Sequence, residues 1–167
     1  MYMDLSNEKL IDIGQFAISR VDGAWFMAVA KEMGVDTAWK MDVAAWKQFS
    51  YVFGKRLNRD LIPDPVWPQS FLEAIDILSK VLKIEKREIE VSEGAITVRA
   101  KDCEIQKAIA KAGIADCGIV TVQTYQGIAA GLFGKGFNIS VEHTRNLNHG
   151  DEYCEVVISR ADKSKMK

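Results

Sequence analysis

The stretch "FNISVEHTRNLNHGDEYCEVVISR", residues 137–160, decides the fold. Polar and apolar positions alternate over 137–145 and again over 152–160, on either side of a loop rich in Asn, Gly and Asp. Alternation of that kind puts Phe137, Ile139, Val141 and His143 on one face of a strand, and Cys154, Val156 and Ile158 on one face of the next. The two segments read as an antiparallel hairpin. Setting Ile139 against Ile158 and Val141 against Val156 also sets His143 against Cys154. Directly opposed residues have Cβ atoms about 4.5–5.5 Å apart, so an imidazole and a thiolate in that register would reach one metal ion. A bulge or a slip of two residues would undo the match.

Working outward, "REIEVSEGAITVRA" (87–100) alternates in the same way around Ser-Glu-Gly and reads as a first hairpin. Between the hairpins lies "AKDCEIQKAIAKAGIADCGI" (100–119), which writes Asp-Cys twice. Asp102 and Asp116 sit where helix N-caps belong. One helix then runs from Cys103 through Ile105 and Ile109 to a stop at Gly113. A second carries Ile119, Val122, Tyr125, Ala129 and Phe133 and ends at Gly134. The order ββααββ gives an antiparallel sheet with helices on one face, an α+β fold.

The N-terminal half is helical. Trp25, Phe26, Val29 and Met33 follow helical spacing up to Gly34, and Asp36 or Thr37 is positioned to cap the next helix. That helix carries Trp39, Val43, Trp46, Phe49 and Phe53 at three- and four-residue steps, with Met41, Ala45 and Val52 on its other side. The aromatic stripe predicts a core face, and apolar residues on both sides predict burial on two sides or packing on a second subunit. "IPDPVWP" (62–68) forbids helix and forms an extended connector. Ser70 then opens a short helix with Phe71, Ile75, Leu78 and Leu82 on one face. The expected organisation is a helical part over 1–68, an α+β part over 69–162 and a frayed tail over 163–167, in one compact unit.

With 48% apolar residues, the chain can build a real core. Its net charge of −1 argues against a nucleic-acid partner. No apolar run is long enough for a membrane span, and the start lacks a signal-peptide pattern, so a cytoplasmic protein is expected. Three cysteines there read as free thiols or ligands and not as a disulfide framework.

The chemistry concentrates in Cys103, Cys117, His143 and Cys154. A thiol in the first turn of a helix feels the positive end of the helix dipole, which favours thiolate, while the neighbouring aspartate opposes it. Each cysteine also reads as a small buried hydrophobe, and His143 as a hydrogen-bonded core histidine. Together, Cys117, His143 and Cys154, with Cys103, would make a zinc or iron site, or a Cys–His nucleophilic pair from Cys154 or Cys117 with His143. His149 reads as a solvated turn residue. Glu142 and Asp151 are carboxylates off the inward face. There is no P-loop and no nucleophile elbow.

The segment "GLFGKGFNISVEHTRNLNHGDEYCEVVIS" resembles the end of 4-vinyl reductase, or hydrocarbon-binding, domains: a strand, a Gly150-Asp151 turn, Cys154 and a final strand. That resemblance implies an α+β homodimer with an apolar pocket for a small molecule beside a zinc held by cysteines and a carboxylate. Cys154 matches the last ligand and Cys117 the first; Glu142 or His143 falls near the acidic one, and Thr144, Arg145 and Asn146 stand where a middle cysteine belongs. "HTRNLNHGDEYCEVVI" is similar to the closing motif of the 2-amino-thiazoline-4-carboxylate hydrolase family. "DGAWFMAVAKEMGVDTAWKMDVAAWK" with "CEIQKAIAKAGIADCG" resembles its uncharacterised relatives. Two functions are therefore expected in order. The first is binding of a small apolar molecule in a pocket between the N-terminal helices and the sheet, with a structural zinc or iron. The second is hydrolysis of a cyclic amidine or thiazoline by a thiolate or metal-bound water.

Overall fold

A computed structural model describes residues 4–84 and 86–161, with the side chain of Glu104 excepted. The tail expected to fray over 163–167 lies outside the described residues. Helix α1 (Asn7–Met33) starts at Ser6, whose hydroxyl accepts from the Lys9 N–H, and stops at Gly34. Gly34 has φ +85°, a conformation that suits a residue without Cβ, and helix α2 (Val35–Asp60) begins at once. Asp36 and Thr37 are therefore already helical and cap nothing; Asp36 instead places its charge in the first turn, where the helix dipole favours it.

The proline connector leads into α3 (Gln69–Val81), which buries Phe71, Ala74, Ile75 and Leu78. Strands β1 (Arg87–Ser92) and β2 (Ala95–Ala100) turn tightly through Glu93 and Gly94, both at positive φ. Helices α4 (Glu104–Lys111) and α5 (Gly118–Phe133), then strands β3 (Ile139–Arg145) and β4 (Cys154–Arg160), complete the described chain. The sheet is antiparallel with order β1-β2-β4-β3. The fold is α+β as the alternation predicts.

One face of the sheet supplies Ile96, Val98, Ile139, Val156 and Ile158 to the core, against Phe71, Ile75, Tyr125, Ile128 and Leu132 from α3 and α5. The other face is polar, where Arg99 bridges Glu90 at 3.0 Å and Glu155 at 2.7 Å. Helix α2 packs on α5, and α1 packs on α2. The molecule is thus stacked outward as sheet, α5, α2 and α1.

The register of the last hairpin differs from the expected one. Val141 pairs with Ile158 and His143 with Val156, while Cys154 pairs with Ala100 of β2. The slip is two residues, with an irregularity between His143 and Arg145. A two-residue slip keeps every side chain on its face, so the apolar pattern cannot tell the two registers apart. The loop decides: Asn146 and a single 3-10 turn (Leu147–His149) fix where β4 begins.

The aromatic stripe of α2 is not its core face. The residues α2 buries are Ala38, Asp42, Ser50, Gly54 and Leu57. Close approach to α5 requires small residues there. A Cβ on Gly131 would lie 2.2 Å from the Tyr51 carbonyl oxygen, and one on Gly54 2.5 Å from that of Ile128. Trp39 and Trp46 are half-buried and Phe49 is exposed. Trp46 hydrogen-bonds Asp22 of α1.

Candidate functional site

The residues singled out from the sequence meet where α5 begins and the last hairpin ends. Cys103 and Cys117 are themselves the N-cap residues of α4 and α5, one position earlier than expected, and neither side chain caps. Asp116 performs the capping work expected of it by a different geometry. Its Oδ1 accepts from the Gly118 N–H at 2.7 Å. Asp102 instead pairs with Lys107 at 2.6 Å and Lys86 at 3.0 Å, and these ammonium groups pull its carboxyl down to about 2.

Cys117 is buried, and its thiol hydrogen-bonds Cys154 and faces Oδ1 of Asn146 at 3.8 Å. Cys154 accepts from the Leu147 N–H at 3.4 Å, and the Cys117 thiol and the His143 ring stand beside it, close enough to shift its ionisation. The two thiols therefore share one proton unequally. The hydrogen bond to Cys154, with burial, drives Cys117 up so that it keeps the proton. The hydrogen bond from Cys117, aided by His143 and the Leu147 N–H, draws Cys154 down against burial, so Cys154 carries the negative charge. Cys103 is near enough for its charge to add to the rise at Cys117.

His143 reaches Cys154 despite the slipped register because diagonal neighbours on one face of a sheet remain within side-chain reach. Its Nδ1 is buried with no hydrogen-bond partner among the described residues. The ring lies against the start of α5, where a Cβ on Gly118 would fall 2.5 Å from Nδ1. Only glycine admits the imidazole there. Glu142 and His149 are exposed and stand apart from the cluster. Among the described residues, no three His, Cys, Asp or Glu side chains converge on one metal position.

Asn146 organises the cluster. It is buried; its Nδ2 donates to Oδ1 of Asp116 at 2.8 Å, and its Oδ1 accepts from the Asn148 N–H at 2.9 Å. Its own N–H donates to Oδ2 of Asp151 at 2.7 Å. The signal for it was present in "NLNHGD", since Asn and Asp side chains bond backbone groups two residues on. The sequence reading treats Asn146 only as a stand-in for a missing cysteine.

A second feature lies at the far end of β3 and β4. A cleft of about 780 Å³ opens between the proline connector, the end of α5 and the start of β3, lined by Trp67, Phe133, Phe137, Asn58, Asp64 and Arg160 among others. Phe133 and Phe137 stack at 4.3 Å, and the Trp67 ring lies 5.7 Å from Phe137. The Trp67 indole N–H donates to the Gly94 carbonyl at 3.1 Å, which ties the connector to the β1–β2 turn. The Arg160 guanidinium covers Phe137 at 5.1 Å. This cleft borders α2 and the sheet end, not the thiols. The space between the N-terminal helices and the sheet, where the sequence places a pocket, is occupied by α5, which α2 meets in backbone contact.

The chain thus combines an α+β fold with a buried thiol–imidazole cluster at one end of the sheet and an aromatic cleft at the other. Residues 3–154 match the model of the Family of unknown function (DUF6125), and the chain belongs to that family. No curated protein matches it. Among solved structures it is similar to the phenol-responsive sensory domain of the transcription activator PoxR, crystallised with phenol. The TM-score is 0.50 at 10% identity, over 83% of this chain and 72% of that one. The likeness is one of fold. Among the described residues, no helix is long and apolar enough to cross a membrane.

Proposed function

We propose that this protein binds a small apolar, aromatic molecule in the cleft walled by Trp67, Phe133 and Phe137. The cleft carries the reading: its volume of about 780 Å³ falls in the roughly 300–1,000 Å³ range of ligand sites. Its apolar walls are rigid rings, with Arg160 and Asn58 at the rim to orient a polar substituent. The resemblance to hydrocarbon-binding domains and the fold shared with a phenol-responsive domain support the same choice. The test is a titration with phenol, followed at the indole N–H resonance of Trp67, assigned with Trp67→Phe. Saturable shifts that vanish in Phe137→Ala are expected. A resonance that does not move up to millimolar phenol, or moves equally in Phe137→Ala, overturns the assignment.

The thiol cluster belongs to this reading as a clasp. Cys117, Cys154 and His143, with Cys103 turned inward as a fourth ligand, would hold zinc or iron and tie the last hairpin to α5. Two observations support it: Cys154 favours thiolate, and the buried His143 Nδ1 lacks a partner. Elemental analysis of anaerobically purified protein is expected to find about one metal per chain. Metal-free protein whose Cys154→Ser variant melts with the wild type would remove the clasp and leave the cleft reading standing. The same thiolate–imidazole pair is what a hydrolase would use. Turnover of 2-amino-thiazoline-4-carboxylate, lost in both Cys154→Ala and His143→Ala, would give the site to catalysis instead.

A further inference from the structure

The cleft walled by Trp67, Phe133 and Phe137 holds two charges that the described chain leaves unpaired. Asp64, in the proline connector, lines it from one element, and Arg160, the last residue of β4, lines it from another. Both are exposed. Among the described residues no cation pairs with Asp64 and no carboxylate pairs with Arg160, whose guanidinium lies over the Phe137 ring instead. A second cleft, beside the start of β1, is built the opposite way. Its lysines are already neutralised within the chain: Lys80 pairs with Asp76 at 2.7 Å, Lys83 with Asp12, and Lys86 with Asp102 at 3.0 Å. Unpaired charge therefore marks the aromatic cleft and not clefts of this protein in general.

We propose, resting on the cleft reading above, that the bound molecule is aromatic and carries both a carboxylate and an aliphatic ammonium. Arg160 offers a planar fork of N–H donors, which suits a carboxylate. Asp64 takes the ammonium, and the helices add to its field. Helices α2 and α5 run side by side in the same direction: Gly127 meets Ser50, and one turn later Gly131 meets Gly54. Both therefore end at the cleft, α2 with Asn58 in its last turn and α5 with Phe133. The C-terminal end of a helix carries partial negative charge and favours a cation. A ligand with a carboxylate alone would meet Asp64 and two helix ends as like charges, and an amine alone would meet Arg160. A ligand with both groups answers every charge in the cleft, while the three rings take its aromatic part. Each exposed pair adds a few-fold in affinity, and the two together about tenfold.

Titrations of the full chain, followed at the Trp67 indole N–H resonance, test this. L-phenylalanine and 4-(aminomethyl)benzoate carry both charges at different spacings; phenylacetate, phenethylamine and phenol lack one or both. One of the doubly charged probes is expected to bind about tenfold tighter than phenylacetate, phenethylamine and phenol. Arg160→Gln is expected to weaken that probe and phenylacetate and to leave phenethylamine unchanged. Asp64→Asn is expected to weaken that probe and phenethylamine and to leave phenylacetate no weaker. Both residues are exposed, so both variants should keep the wild-type far-ultraviolet circular dichroism, which is measured alongside. Doubly charged probes that bind no tighter than phenol, or variants that weaken all probes equally or none, overturn the charge assignment and leave the aromatic cleft standing. A resonance that no probe moves overturns both.

Discussion

The two sides of helix α2 are held in opposite ways. Toward α5, backbone meets backbone: Gly54, Gly127 and Gly131 leave no room for a Cβ, and Ser50 turns its hydroxyl onto the Trp46 carbonyl at 2.6 Å. Toward α1, large side chains meet along a thin line and most of the apolar surface stays in water. The contrast teaches that apolar content does not locate a core. Helix α1 is more apolar than α2 yet buries none of its residues, and the tightest seam is built from glycine, alanine and serine. Dispersion contacts depend on how closely atoms approach, and small residues permit the closest approach between helix axes.

The largest expected effect tests the tight seam. Gly131→Val should cost more than about 3 kcal/mol and unfold much of the chain at room temperature in urea. Its Cβ would press on the Tyr51 oxygen and on the Lys55 nitrogen, the latter at 2.8 Å. A loss under about 1 kcal/mol would mean the helices separate easily.

Asp42 is the next lever. It is 7% exposed on α2, its Oδ1 has no partner, and burial with the nearby Asp22 charge raises its carboxyl from 3.8 to about 6. The folded protein therefore holds this proton more tightly than the unfolded chain does. The corresponding stability is present below about pH 4, falls as pH rises to 6 and stays lost above it. Asp42→Asn should flatten that slope and raise stability above pH 6 by about 2 kcal/mol. Urea midpoints at pH 4.5 and 7.5 would show it, and an equal change at both would refute it.

At the thiol cluster, Gly118→Ala should cost roughly 1–2 kcal/mol by displacing the imidazole from α5, against no measurable change if the ring simply swings aside. The smallest effect belongs to the loose side. Nothing lies within 4 Å of a Cβ on Gly14. Gly14→Ala should stabilise α1 by about 0.5–1 kcal/mol through helix propensity alone, read from urea midpoints. Destabilisation there would show that α1 packs more closely than its exposure indicates.

The strands were legible because alternation reports directly which face is wet, and both hairpins fall where it puts them. The convergence of Cys117, His143 and Cys154 was legible in part, since all three lie on the inward side near one end of the sheet. The route to it was not. The expected register opposes His143 and Cys154 directly, whereas the structure links them diagonally, and Asn146 holds the loop that makes the difference.

Residue order alone set the two hairpins, the helix stops at Gly34, Gly113 and Gly134, and the inward placement of histidine and cysteine, because each depends on neighbours a few positions away. Which face of α2 became core, which register β4 took and where a cleft remained were decided only by tertiary structure. Those outcomes depend on how closely distant backbones approach, and a side-chain pattern does not encode that distance.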